Sequence, residues 1–233
     1  MIRNFLFSVF FFSGIVFISL IFLPAIIFPK RIVLFGGKIM GYWTSFCLKV
    51  FLSTKIIIKG GENIVDKKKF FIAASHQSMF ETFFLQTIFN SPVFILKKEL
   101  LMMPIFGWYL KKIGSISIKR NKISKDNITF FDDISRQVTS SDRPLIIFPQ
   151  GTRLLPDDRT PFKKGSSRIY EELNISCLPI AINSGNTWPK HGQKKIGTTI
   201  TISILKPINP GLEKEIFLRK LENDIYSELN ILN

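Results

Sequence analysis

The sequence predicts an α/β domain with a largely parallel sheet and flanking helices, preceded by an N-terminal hydrophobic membrane helix or helical hairpin. After residue 53, short β-rich runs alternate with longer helical ones, and strands that alternate with helices build βαβ units whose strands run parallel. From Phe5 to Phe28 the chain reads FLFSVFFFSGIVFISLIFLPAIIF without a charge, enough at about 1.5 Å per residue to match the ~30 Å of a bilayer core. Residues 1–53 are therefore expected to form a membrane-anchoring segment and residues 54–233 the α/β domain.

A cleaved signal peptide would have a shorter apolar region and a small-residue cleavage site. Lys30 and Arg31 follow the apolar run, where basic residues anchor a helix end at cytoplasmic headgroups. The next stretch, Ile32 to Leu52, carries Lys38, Lys49, Gly36, Gly37 and Gly41. That composition suits an interfacial helix or the return arm of a hairpin better than a second span.

Strands are expected at Thr54 to Lys59, Phe70 to Ser75, Pro92 to Leu96, Ser115 to Lys119, Pro144 to Phe148, Cys177 to Ile182 and Thr198 to Leu205. Helices are expected at Met79 to Phe89, Glu99 to Lys112, Ser124 to Thr139, Ser166 to Leu173 and Leu212 to Leu232. In the run TTITISIL, Ile200, Ile202 and Ile204 fall on one face, so the other face is expected at water or at a sheet edge.

The formal charge of +15 calls for an acidic partner. With 24 phenylalanines and an apolar N-terminus, anionic membrane lipid is favoured over nucleic acid, for which no zinc spacing or aromatic recognition motif is present. Cys47 and Cys177 suggest neither a disulfide framework nor a metal site. No metal and no bound cofactor is expected.

The stretch ASHQSMFET holds His76 and, five positions on, Glu81. It follows one expected strand and opens a helix, and in such sheets the ligand site forms at the carboxyl ends of strands. A carboxylate beside an imidazole fixes the tautomer and stabilises the imidazolium, leaving the other ring nitrogen free as a base. The second histidine, His191, lies in the polar loop NTWPKHGQKK and is read as a surface residue.

Two further motifs end strands with basic residues. GSISIKR closes on Lys119 and Arg120, and FPQGTR runs through Phe148, Pro149, Gln150, Gly151, Thr152 and Arg153. Glycine permits close backbone approach, and an arginine fork matches phosphate or carboxylate. A serine hydrolase is disfavoured because no G-x-S-x-G elbow occurs.

SHQSMFE, KKELLMMPIFG, GSISIKR, FPQGTR and CLPIAINSG resemble, in order and spacing, the motif blocks of the glycerolipid acyltransferase family, with its histidine-x4-acid signature. They look most like its bacterial 1-acylglycerol-3-phosphate branch, across roughly Lys55 to Leu205. The resemblance implies acyl transfer from acyl carrier protein or acyl-CoA, as co-substrate, to lysophosphatidic acid at the cytoplasmic face of a bacterial inner membrane. It also implies His76 as base, Glu81 as its partner, and Arg120, Arg153 and Thr152 at the substrate phosphate. Lys97 and the Gly151 amide become candidate donors to the thioester carbonyl. Two departures stand out: Glu81 replaces the usual aspartate, and Gln150 replaces the usual glutamate of the third motif. The second leaves a lyso-ornithine-lipid acceptor as the alternative.

Overall fold

The computed structural model describes residues 1–64, 69–118 and 130–232. Its strands are β1 (Lys55–Lys59), β2 (Phe70–Ala74), β3 (Val93–Lys97), β4 (Ile116–Ile118), β5 (Leu145–Ile147), β6 (Ser176–Ile182) and β7 (Thr199–Ile204). They form one sheet in the order β1-β7-β6-β2-β5-β3-β4. Every pairing is parallel except β6 with β7, which is antiparallel. Each strand coincides with one of the runs read from the sequence, five of them lying wholly inside it, while β3 runs one residue further to Lys97 and β6 begins one residue earlier at Ser176.

The helices are α1 (Ile2–Ile21), α2 (Lys30–Leu52), α3 (Phe80–Ile88), α4 (Phe106–Lys112), α5 (Phe130–Thr139), α6 (Gly165–Leu173) and α7 (Lys214–Leu232). The expected helix over Glu99 to Lys112 is broken: a 3-10 turn covers Lys98–Met102 and α4 starts only at Phe106. Pro104 is the cause, since proline lacks the amide donor and pushes the preceding residue to extended backbone, as found at Met103 with ψ 130°.

Alternation along the strands sorts their side chains onto two faces. Phe71 and Ala73 of β2 join Leu145 and Ile147 in a core closed by Ile134, Ile169, Phe217, Leu221 and Ile225 of α5, α6 and α7. Ile72 and Ala74 join Ile146, Leu178 and Ile180 in a second core, closed by Phe80 and Leu85 of α3 together with Phe7 and Phe11 of α1 and Cys47, Leu48 and Leu52 of α2. Both faces are thus covered, which is why β2 reads as an unbroken apolar run.

The polar face of β7 departs from expectation. Thr201 and Ser203 are buried, because the Ser203 hydroxyl donates to Glu228 of α7 and the Thr201 amide donates to Asn183 Oδ1. The C-terminal helix covers the face that alternation alone assigned to water or to a sheet edge.

The N-terminal helices lie along the body. One stripe of α1 is buried at Phe7, Phe11 and Ile18, while Phe5, Val9, Phe10, Phe12, Val16, Phe17 and Leu20 are exposed. The amino end of α1 is tied down where Arg3 donates to Phe51 O at 2.7 Å and Asn4 donates to Lys194 O at 3.0 Å. The far end is held where the Tyr109 hydroxyl of α4 donates to Ser19 O at 2.5 Å. α2 packs against α3 through Gly41, where a Cβ would sit 2.6 Å from Phe83 O. The glycines that weaken α2 as a span therefore allow a close helix crossing.

Candidate active site

The carboxyl ends of β6, β2 and β5, neighbours at the centre of the sheet, bring three motifs together. β2 leads through Ser75 into His76. The Ser75 amide donates to Ile180 O at 2.9 Å, and its hydroxyl accepts from the Ile182 amide at 2.8 Å. These bonds carry the pairing with β6 one residue past the strand and fix where His76 leaves the sheet.

The His76 ring stacks on Phe148, at the end of β5, with centroids 4.1 Å apart and planes 18° from parallel. Its backbone is held on both sides: the amide donates to Gln150 Oε1 at 3.0 Å, and the carbonyl accepts from the Leu154 amide at 2.9 Å. The side chain is 15% exposed, so the ring is fixed yet reachable.

Glu81 enters from the first turn of α3 and is fully buried. Its Oε2 lies 3.5 Å from His76 Nδ1, beyond a normal hydrogen bond. A histidine–carboxylate contact of this length can tighten once a ligand is bound. Nδ1 is itself buried with no other hydrogen-bond partner among the described residues, so the carboxylate has no competitor for it. Oε1 accepts from the Gln77 amide at 3.1 Å, and Oε2 from the Ser78 amide at 3.1 Å. A helix N-terminus favours such a carboxylate through its free amides and its dipole.

Ser184, beyond β6, donates its hydroxyl to Glu81 Oε1, and the adjacent Gly185 amide donates to Gln77 Oε1 at 3.0 Å. Neither role is visible in the sequence reading, although CLPIAINSG contains both residues. The signal available was a serine and a glycine just past a buried strand.

The FPQGTR turn forms as its composition demands. Gly151 has φ +72°, a left-handed conformation that glycine adopts at little cost. Its amide donates to Phe148 O at 2.9 Å, which corrects the expectation of a free donor for a thioester carbonyl: the turn uses that proton. Pro149 O accepts from the Lys163 amide at 2.9 Å. Thr152 is exposed beside the site. Arg153 is half-buried and makes no ion pair or hydrogen bond among the described residues.

Lys97 ends β3, two strands from β2, and is exposed. Arg120 lies outside the described residues. His191 is exposed, as its loop composition suggests. Among the described residues no group of three or more His, Cys, Asp or Glu side chains is placed to hold a metal ion.

A central sheet with helices on both faces and this helical N-terminus is also the fold of the 1-acyl-sn-glycerophosphate (LPA) acyltransferase PlsC from Thermotoga maritima. The TM-score is 0.79 over 100% of this chain and 98% of that one, at 21% identity. The acyltransferase family model matches residues 55–183, more than half of the chain, and the protein belongs to that family. The 1-acyl-sn-glycerol-3-phosphate acyltransferase of Pseudomonas aeruginosa is 33% identical over 167 residues, covering 70% of this chain and 63% of that protein. The Saccharomyces cerevisiae protein of the same name is 31% identical over 186 residues, covering 76% and 60%. The chain thus spans less than two thirds of the length of these curated relatives.

Proposed function

We propose that this protein transfers a fatty acyl chain from acyl carrier protein or acyl-CoA to the sn-2 hydroxyl of 1-acyl-sn-glycerol-3-phosphate, giving phosphatidic acid. The observation that carries this reading is the His76–Glu81 pair at the end of β2, with Arg153, which has no ion pair or hydrogen bond among the described residues, on the neighbouring turn. Nδ1 faces the carboxylate, so Nε2 takes the proton of the acceptor hydroxyl as its oxygen attacks the thioester carbonyl. Collapse of the tetrahedral intermediate expels the thiolate, which recovers that proton from the imidazolium. Glu81 stabilises the transient cation. Arg153, with Arg120 and Thr152, holds the glycerol phosphate, and Lys97 is the remaining candidate to polarise the thioester carbonyl.

The names borne by relatives support the choice of acceptor. Gln150 bears on it too: its side-chain oxygen is bound to the His76 amide, so its lack of charge is not a reason to seek an acceptor without phosphate. The exposed apolar row on α1, a helix long and apolar enough to cross a membrane, supports association with a bilayer. Because α1 is tied to the body at both ends, we place it in the plane of one leaflet, the cytoplasmic leaflet of a bacterial inner membrane.

The test is acyl transfer by the membrane-reconstituted protein from labelled acyl carrier protein and acyl-CoA to lysophosphatidic acid and to lyso-ornithine lipid, with His76→Ala alongside. Phosphatidic acid formation that falls about 10²- to 10⁴-fold in the variant is expected for loss of a general base. Transfer only to the ornithine lipid moves the acceptor assignment, and full activity of the variant removes His76 as base.

A further inference from the structure

Ser184 is held at both ends. Its hydroxyl donates to the Glu81 carboxylate, and its carbonyl accepts from the Thr187 amide at 3.1 Å and the Trp188 amide at 2.8 Å. The 3-10 turn Ser184–Asn186 is thus closed by the backbone of Trp188. Gly185 in that turn leaves no room for a side chain, since a Cβ would sit 2.9 Å from Gln77 Oε1 and 3.0 Å from Gln77 Cβ. The turn therefore lies directly against the segment that leads from His76 into α3.

The Trp188 side chain ties the same turn to the N-terminal helix. Its indole is 6% exposed and stands edge-on to Phe7 and to Phe11 of α1, with centroids 5.1 and 4.9 Å away and planes 83° and 85° apart. Further along the loop, the Lys194 ammonium lies 5.1 Å from the centre of the Phe7 ring and 5.8 Å from that of Trp188, and it donates to the Ser8 hydroxyl at 3.2 Å. Edge-to-face rings and a cation over a ring add directional attraction to the area that is buried. The indole is thereby given one seat, and the backbone that carries it one position.

We propose that Trp188 is a positioning residue for the His76–Glu81 pair: the buried stripe of α1 seats the indole, the indole fixes the turn, and Ser184 holds the Glu81 carboxylate toward Nδ1. The N-terminal helix thereby supports the chemistry as well as any contact with a bilayer. A misplacement of about 1 Å at a reacting group can cost ~10²-fold in rate, so a turn that is loosened by a fraction of that distance has a measurable effect. The inference rests on His76 being the base of the reaction proposed above.

The experiment compares Trp188→Leu, Trp188→Phe, Ser184→Ala and the Ser184→Ala/Trp188→Leu double variant by steady-state kinetics on the membrane-reconstituted protein. Trp188→Leu is expected to lower kcat about tenfold, as Ser184→Ala does, the scale of one hydrogen bond to a charged group. KM for lysophosphatidic acid stays within twofold. Trp188→Phe keeps a ring against Phe7 and Phe11 and stays within threefold of wild type. In the Ser184→Ala background, Trp188→Leu changes kcat less than twofold, because both substitutions cut one link. Phe7→Leu, which reaches the indole from α1, lowers kcat as Trp188→Leu does. Phe217→Leu, an equal truncation in the core on the other face of the sheet, leaves kcat within twofold and controls for a general loss of stability.

Losses that multiply in the double variant would overturn the proposal, as would wild-type kcat in folded Trp188→Leu, a rise in KM in place of the fall in kcat, or a fall of the same size in Phe217→Leu. If Trp188→Leu does not fold, Phe7→Leu decides, and wild-type kcat in that variant overturns the proposal. A fully active His76→Ala would instead overturn the underlying function, so the two failures are distinguishable.

Discussion

Ser184 and Glu81 lie 103 residues apart in the chain, yet the serine hydroxyl donates directly to the glutamate carboxylate with both side chains fully buried. β6 and β2 are neighbours in the sheet, so whatever leaves their carboxyl ends meets at one point. Together with the amides of Gln77 and Ser78, Ser184 holds a charge that has no exposure to water. Its removal allows a direct measure of how closely that carboxylate must be held.

For Ser184→Ala the expected result is a fall in kcat of roughly tenfold, because hydrogen bonds to charged groups contribute about 1.5–3 kcal/mol. KM for the acceptor should not change. Steady-state kinetics separate the two, and a loss confined to KM would assign Ser184 to substrate binding instead.

Glu81→Gln keeps the size and one acceptor oxygen but removes the negative charge. Without it the imidazolium is no longer stabilised, and kcat should fall about 10²-fold or more, within the usual range for general acid–base catalysis. Glu81→Asp retains the charge one methylene further back and should retain more activity. Equal activity of the two variants would show that charge is not what Glu81 supplies.

Arg153 has no acidic partner among the described residues, so its truncation leaves no buried carboxylate stranded. Arg153→Ala is expected to raise KM for lysophosphatidic acid about tenfold or more, in line with the loss of a charge-assisted bond. The melting temperature should hardly move. An unchanged KM removes Arg153 from the acceptor site.

The two faces of α1 should respond differently to substitution. Phe7 and Phe11 pack edge-on against Trp188 at 5.1 and 4.9 Å, and truncating either to alanine should cost ~3–5 kcal/mol of stability, read by denaturant unfolding in detergent. Phe12→Ser with Phe17→Ser, on the exposed face, should leave that stability near wild type and weaken sedimentation with anionic liposomes. Unaltered liposome binding would locate the bilayer contact elsewhere.

Cys47 and Cys177 are free and fully buried. Burial pushes the Cys47 thiol up to about 11 and the Cys177 thiol well up, so little of either is thiolate at pH 8. Neither should react with iodoacetamide in the folded protein, and both should react after denaturation. Mass spectrometry of the alkylated protein provides the count.

Much of the architecture is written locally. Runs such as FFIAA and LII are short, apolar and β-rich, and the seven strands of the sheet lie where such runs occur. His76 and Glu81 are equally legible, because they lie five positions apart where β2 passes into α3. The limits are local as well: nothing in TTITISIL shows that α7 covers its polar face, and Pro104 splits a stretch whose composition reads as one helix.

What the amino-acid order determined by itself is the set of elements, the apolar N-terminus, the histidine–carboxylate pair and the glycine turn, since each depends on residues within a few positions of one another. Only the tertiary structure decided that Ser184 reaches Glu81, that Gln150 receives the His76 amide, and that α1 is tied along the body instead of projecting from it. Those contacts depend on the strand order β6-β2-β5 and on which helix lies over which face. Strand order is settled by the packing of distant segments against one another, and no local pattern of residues records it.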